Sequence, residues 1–302
     1  ATGDWILWLD ADDVIPVNSI SPLMDLKQRT PDRVYAFTVI NEKPGGTGSS
    51  FVQARMFPNR AQIRFEGRIH EQIMPSALRQ GLTMEQCPVV IEHHGYASPE
   101  LVAAKARRNI DLLVDQCRST GPDPVSCIEL ADAYVLIGDW SNAEVWYRTC
   151  TEIKGTRESM PAIASHALLG LGKCSIERGE FTRAVEQITV SLQLCQDRPD
   201  ALYSLAVAQE IIGKSREAIA SLRRILEVPD KPLLVSVDFR EARIKSCLRL
   251  ERLYRESGRH DEALALAREA RKRIPNRPEI HTMAGQVNFR TVGNPQIGRA
   301  HV

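Results

Sequence analysis

What the chain lacks narrows it first. No stretch of its 302 residues approaches the ~20 consecutive apolar residues that a membrane-spanning helix needs, so no span is expected. It lacks an excess of either charge: the formal net charge is +1, which gives no electrostatic ground for nucleic acid or a membrane surface as partner. It lacks paired cysteines. The seven present are odd in number, and no two form a C-x-x-C motif, which argues against a disulfide framework or a zinc ribbon. Cys117, Cys127, Cys150, Cys174, Cys195 and Cys247 fall among apolar positions of helical segments and read as buried free thiols in a reducing, cytoplasmic setting. Phosphate-loop spacing is also missing: Gly45, Gly46 and Gly48, with Ser49 and Ser50, read as a flexible turn. Finally, His70-Glu71 is not followed by a histidine four residues after the first, which removes a zinc-hydrolase reading.

The remaining composition, 43% hydrophobic and 25% charged, is that of a globular protein, and the length suggests two domains. The stretch around which the chain is organised is Asp4-Trp5-Ile6-Leu7-Trp8-Leu9-Asp10-Ala11-Asp12-Asp13. A short apolar run bounded by polar residues reads as a strand buried on both faces, as in a parallel sheet. In extended chain Asp10 and Asp12 point the same way, about 7 Å apart at the rise of a strand. Hard carboxylate ligands at a strand's carboxyl end suit Mg2+ or Mn2+ shared with a substrate's phosphates. The competing reading is a solvated turn with an aspartate N-cap.

Further on, Ser21 with Pro22 reads as a helix start, carried to Arg29 by Leu23, Met24 and Leu26. Val34 to Ile40 and Phe51 to Phe57 read as the strands of a hairpin. Val89-Val90-Ile91 reads as another strand, running into Glu92-His93-His94-Gly95-Tyr96. Ser98-Pro99-Glu100 starts a helix that Gly121 stops. Arg107 and Arg108 on it read as a solvated face or as residues turned to a site. From about Pro124 a degenerate repeat appears. Its turn glycines include Gly138, Gly179, Gly213 and Gly258, and its small residues include Ala143, Ala184, Ala218 and Ala263. Gly179 and Gly213 lie 34 residues apart, one tetratricopeptide period. A fifth unit begins at His281 with Ala284-Gly285. Such helix pairs bury their apolar faces by stacking, which implies a solenoid whose groove could hold a protein or peptide partner.

The W-I-L-W-L-D-A-D-D stretch, the Phe65-Glu66-Gly67-Arg68-Ile69-His70-Glu71 block and His93-His94-Gly95-Tyr96 together resemble bacterial family 2 glycosyltransferases of the GT-A fold that carry tetratricopeptide repeats. The resemblance covers roughly residues 1–118. It implies an α/β partial GT-A domain with a mixed, incomplete sheet over residues 1–97. A connecting helix over 98–123 and an all-α tetratricopeptide-repeat solenoid over 124–296 would follow. It implies transfer of a sugar from a nucleotide-diphosphate sugar to an acceptor, metal-dependent and inverting. Asp10, Asp12, His93 and His94 would be candidate ligands for Mn2+ or Mg2+. Asp10, Asp12, Asp13 and Arg55 would contact the donor, and Glu71 would be the base with His70 beside it. His93 holds the family's histidine place and His94 stands where an aromatic is more usual, so either ring is open as the ligand. A strand-end ion pair at His70-Glu71 and a purely structural histidine at 93 or 94 are the plainer alternatives. The other function class is a tetratricopeptide interaction scaffold with a relic transferase part.

A complete GT-A domain needs strands ahead of Asp4, so the chain is expected to be a fragment, inactive by itself. One codon choice for Ile297-Gly298-Arg299-Ala300-His301-Val302 matches a common sequencing-library adapter, so residues 297–302 are expected to be a non-native tail.

Overall fold

The computed structural model describes residues 2–43, 47–66, 72–94, 99–230, 237–274, 277–280 and 282–283. They divide into two compact units. One comprises residues 1–196 with 230–238, and the other 197–229 with 239–302.

The first unit opens with a five-stranded mixed sheet. Its strands are β1 (Trp5–Leu7), β2 (Asp13–Val14), β3 (Val34–Lys43), β4 (Thr47–Pro58) and β5 (Met84–His93), in the order β1-β4-β3-β5-β2. β3 and β4 form the expected antiparallel hairpin, β3 and β5 run parallel, and β1 and β2 pair antiparallel with β4 and β5. Side chains alternate across the sheet, as extended chain requires. Tyr35, Phe37, Val39, Cys87, Val89 and Ile91 face α1 (Val17–Lys27) and its Leu26. Val34 and Phe57 face the opposite side, with Ile73 and with Ala77 of α2 (Met74–Arg79).

Two sequence expectations are corrected here. The strand before Asp10 is not buried on both faces within a parallel sheet. It is an outer strand, antiparallel to its only neighbour among the described residues, and Leu7 is exposed. The following helix starts at Val17, not at Ser21-Pro22, and Pro22 lies inside it. Tertiary contact overrides the local signal: Ser19 is buried, and its hydroxyl oxygen accepts from the Val90 N–H of β5 at 3.0 Å.

The unit continues with α3 (Pro99–Thr120), which ends at Gly121 with φ +82°. Then come α4 (Pro124–Leu136), α5 (Trp140–Glu152), a single turn α6 (Thr156–Ser159), α7 (Pro161–Glu177) and α8 (Phe181–Leu194). α3 packs on α4 through Ile110, Leu113, Leu130 and Ala133. The second unit holds α9 (Pro199–Ile211), α10 (Ser215–Glu227), α11 (Phe239–Glu256) and α12 (His260–Arg273).

The pairs α4/α5, α7/α8, α9/α10 and α11/α12 turn on the same backbone device. The first helix of each ends at a glycine in the left-handed region: Gly138, Gly179, Gly213 or Gly258, with φ between +72° and +78°. The residue after each glycine donates its N–H five residues back, as Asp139 does to Tyr134 at 2.9 Å and Lys214 to Gln209 at 2.8 Å. This closure satisfies carbonyls that a helix end leaves open, and glycine adopts it without a steric penalty. The small residue of each second helix, Ala143, Ala184, Ala218 or Ala263, is 2% exposed or less. Ala284 and Gly285, assigned from the sequence to a fifth repeat, lie outside the described residues. The cysteines are free and buried except Cys195, which is half-buried.

Candidate functional site

The link from β1 to β2 brings charge together. Asp10 to Asp13 form a tight turn in which the Asp13 N–H donates to the Asp10 carbonyl at 3.1 Å. The Asp10 N–H donates back to the Asp13 carboxylate at 2.9 Å. Extended geometry at Asp10-Ala11-Asp12 is therefore corrected: in the turn Asp10 converges with Asp13, three residues on. Asp13 is also the cross-strand partner of His93 through the β2–β5 pairing, and their side chains meet at 2.9 Å. Asp12 lies 3.5 Å from the same ring nitrogen.

Arg55 of β4 lies under this turn, 2% exposed. Its guanidinium is 3.3 Å from Asp10 and 3.0 Å from Asp13, whose carboxylate is fully covered. It also stacks 3.8 Å from the centroid of Trp8, and the Trp8 indole N–H donates to the Ala54 carbonyl at 2.9 Å. Buried charge is tolerated only when paired, and here one cation serves two carboxylates. The pairing is incomplete. Arg55 Nε and Nη1 are buried without a hydrogen bond, Nη1 being close to Asp13 but off the bonding direction.

Ligand atoms of Asp10, Asp13 and His93 all lie within 4.8 Å of one another. Carboxylate oxygens with an imidazole form a donor set suited to Mn2+, or to Mg2+ through the oxygens. Three aspartates and one arginine leave a formal charge of −2 on the cluster, which a divalent cation balances. These residues fit a divalent ion. Such an ion would share Asp10 and Asp13 with Arg55.

The remaining sequence candidates are placed as follows. His94 stands outside the three-residue group: its Nε2 is 3.9 Å from Glu92, and its backbone N–H donates to the Asp12 carbonyl at 3.0 Å. His70 and Glu71 lie outside the described residues. Glu66 and Gln72, on either side of that segment, exchange two backbone hydrogen bonds of 2.9 Å. Arg107 and Arg108 are both exposed.

Sequence reasoning missed a second polar group. Asp132 of α4 holds His166 of α7 at 3.0 Å and accepts the Tyr147 hydroxyl. Burial pushes the Asp132 carboxyl up, but the charge and hydrogen bond of His166 and the Tyr147 hydroxyl reverse this, so the net direction is down. One turn earlier, burial and then the carboxylates of Asp123 and Asp132 push Glu129 up to about 8. The signal was present: two carboxylates three apart on the apolar side of Ile128-Glu129-Leu130-Ala131-Asp132-Ala133.

Comparison with known proteins agrees with both halves of this architecture. Residues 1–93 match the model of glycosyl transferase family 2, and residues 246–279 match that of the tetratricopeptide repeat. The chain thus has one region similar to family 2 glycosyltransferases and another similar to tetratricopeptide repeats. Among curated proteins, a TPR repeat-containing protein of Synechococcus elongatus is 29% identical over 220 residues, 68% of this chain and 51% of that protein. The chain therefore spans about half the length of the curated relative it matches. Similar solved structures include YrrB, described as a TPR protein with an unusual peptide-binding site. It is 16% identical, with 62% of this chain and 87% of that one covered, at a TM-score of 0.47. Another is a thermophilic TPR protein of Thermus thermophilus, 16% identical, with 64% and 100% covered and a TM-score of 0.41. No helix among the described residues is long and apolar enough to cross a membrane.

Proposed function

We propose that the protein to which this chain belongs is a metal-dependent, inverting glycosyltransferase using a nucleotide-diphosphate sugar. The observation that carries the reading is the gathering of Asp10, Asp13 and His93 over the buried Arg55. Asp10, Asp13 and His93 would hold Mn2+ or Mg2+, with Asp12 at its side. A cation there supplies charge neutralisation for the departing nucleotide diphosphate. Arg55 keeps the carboxylates turned together, and Trp8 stacked on it excludes water from their underside. Glu71 takes the acceptor hydroxyl's proton as the oxygen attacks the anomeric carbon, with His70 orienting it. Those two roles rest on their place in the F-x-G-x-I-H-E block.

The test uses the full-length gene product with sugar nucleotides and Mn2+. Nucleotide diphosphate release is expected to fall about 100-fold or more in Glu71→Gln, the size expected for loss of a general base, and to fall strongly in Asp12→Ala. Equal release from wild type and both variants would remove the enzyme reading. The second reading, a scaffold that binds a protein or peptide along its repeats, has its own support in the four helix pairs. It would be left standing by that result.

A further inference from the structure

We propose that a cavity of about 710 Å3 between the sheet and helices α3 and α4 is the acceptor site, and that it takes a saccharide or other glycoside. This rests on the glycosyl-transfer reading and names the substrate class for it. The cavity lies wholly within the first compact unit. Its size falls in the range of small-molecule sites.

Its position follows from Trp8, which faces both ways. The ring carries Arg55 of the acidic cluster at 3.8 Å and also lines the cavity, so the two spaces share one wall. The stem at Gln72 and the Phe65 ring, which meets Trp8 edge-on at 5.6 Å, form another part of the wall. An acceptor seated here would lie one side chain away from the donor's reacting end.

The class of acceptor follows from the lining. Saccharides present an apolar ring face and a rim of hydroxyls, and are held by aromatic rings together with planar polar side chains. Trp8 and Phe65 supply rings. α3 adds Lys105 and Asn109, and α4 adds Glu129 and Asp132. On α3 the lining residues Val102, Lys105, Asn109 and Leu113 recur at helical spacing, so one face of the helix is given to the cavity. Asp132 is held rigid by His166 and Tyr147. The influences on the Glu129 carboxyl are burial and two neighbouring carboxylates, with no hydrogen bond among them. Glu129 is among the cavity's lining residues.

The experiment is ligand-observed NMR on this chain with phenyl β-D-glucopyranoside and phenyl β-D-galactopyranoside as probes and decanoate as the apolar control. Saturable binding of at least one glycoside is expected. It should weaken at least about tenfold in Val102→Trp, which fills the cavity, and also in Glu129→Ala, which empties one polar position. Mn2+ binding, followed separately, should persist in both and shows that the fold is retained. No saturable glycoside binding, or binding that neither variant weakens, would overturn the assignment, as would binding of decanoate alone. If glycoside binding behaves as expected while Asp12→Ala leaves nucleotide diphosphate release intact in the full-length protein, the cavity stands as a saccharide site and the transfer reading fails.

Discussion

The sheet region and the helical repeats bury different things. Under β1 and β2 the interior is charged: Arg55 and the Asp13 carboxylate are almost wholly covered, and two guanidinium nitrogens lack a hydrogen bond. In the repeats the helix pairs are held by close approach of small and apolar residues, and the buried charges Glu144, Arg198 and Glu251 have ion-pair partners. A Cβ added at Gly170 would fall 2.4 Å from the Tyr147 ring, and one at Gly172 would fall 2.4 Å from Ile188. The second arrangement needs only close approach, which stabilises the helix pairs. The first leaves donors unsatisfied, and a fold holds such a cost where the charges have work to do. Glu129 and Asp132 of α4 are partly buried carboxylates among the cavity's lining residues.

The comparison can be broken most sharply at Arg55. Arg55→Met removes the buried cation beside the covered Asp13 carboxylate, and removing one partner of a buried pair costs about 3–5 kcal/mol. Urea unfolding of the sheet region should show a loss of that size, and a loss near zero would mean the charges are solvated. In the repeats, Gly170→Val drives a side chain into the Tyr147 ring and should cost about 1–3 kcal/mol by the same method. Gly213→Ala places a side chain at φ +78° in open space, so only the backbone penalty of about 1–2 kcal/mol is expected.

At Glu129 the comparison is read as a pH dependence. Its folded carboxyl is pushed up to about 8 from an ordinary 4.5. Between those values the native state holds a proton that the unfolded chain releases. Stability therefore falls as pH rises through that window. Glu129→Gln should match wild type in Tm near pH 4.5 and exceed it by a few degrees near pH 8.5. Parallel Tm curves across that range would contradict the burial of the carboxyl.

Legibility in the sequence followed the range of the forces involved. The repeats were readable because a left-handed turn demands glycine at Gly138, Gly179, Gly213 and Gly258, and a close helix approach demands a small residue such as Ala143. Both demands are local. The β3–β4 hairpin was readable from its residue types. The start of α1 was not, because the buried Ser19 bonds to Val90, 71 residues away. Nor was the geometry of Asp10 to Asp13. The presence of carboxylates was plain, but which of them converge depends on a turn closed by Asp13 and on its pairing with His93 across the sheet. The cavity was out of reach for the same reason, its walls coming from β4, α3 and α4.

The central claim is that Asp10, Asp13 and His93 together make one divalent-cation site. Its most direct test is Mn2+ titration of this chain followed by electron paramagnetic resonance, with Asp10→Asn and His93→Ala beside wild type. Asp10 and His93 are both partly exposed, so neither change should unfold the sheet. The expected result is one saturable Mn2+ site in wild type that is weakened at least about tenfold in each variant. Equal Mn2+ binding by all three proteins, or no saturable site in wild type, would contradict it.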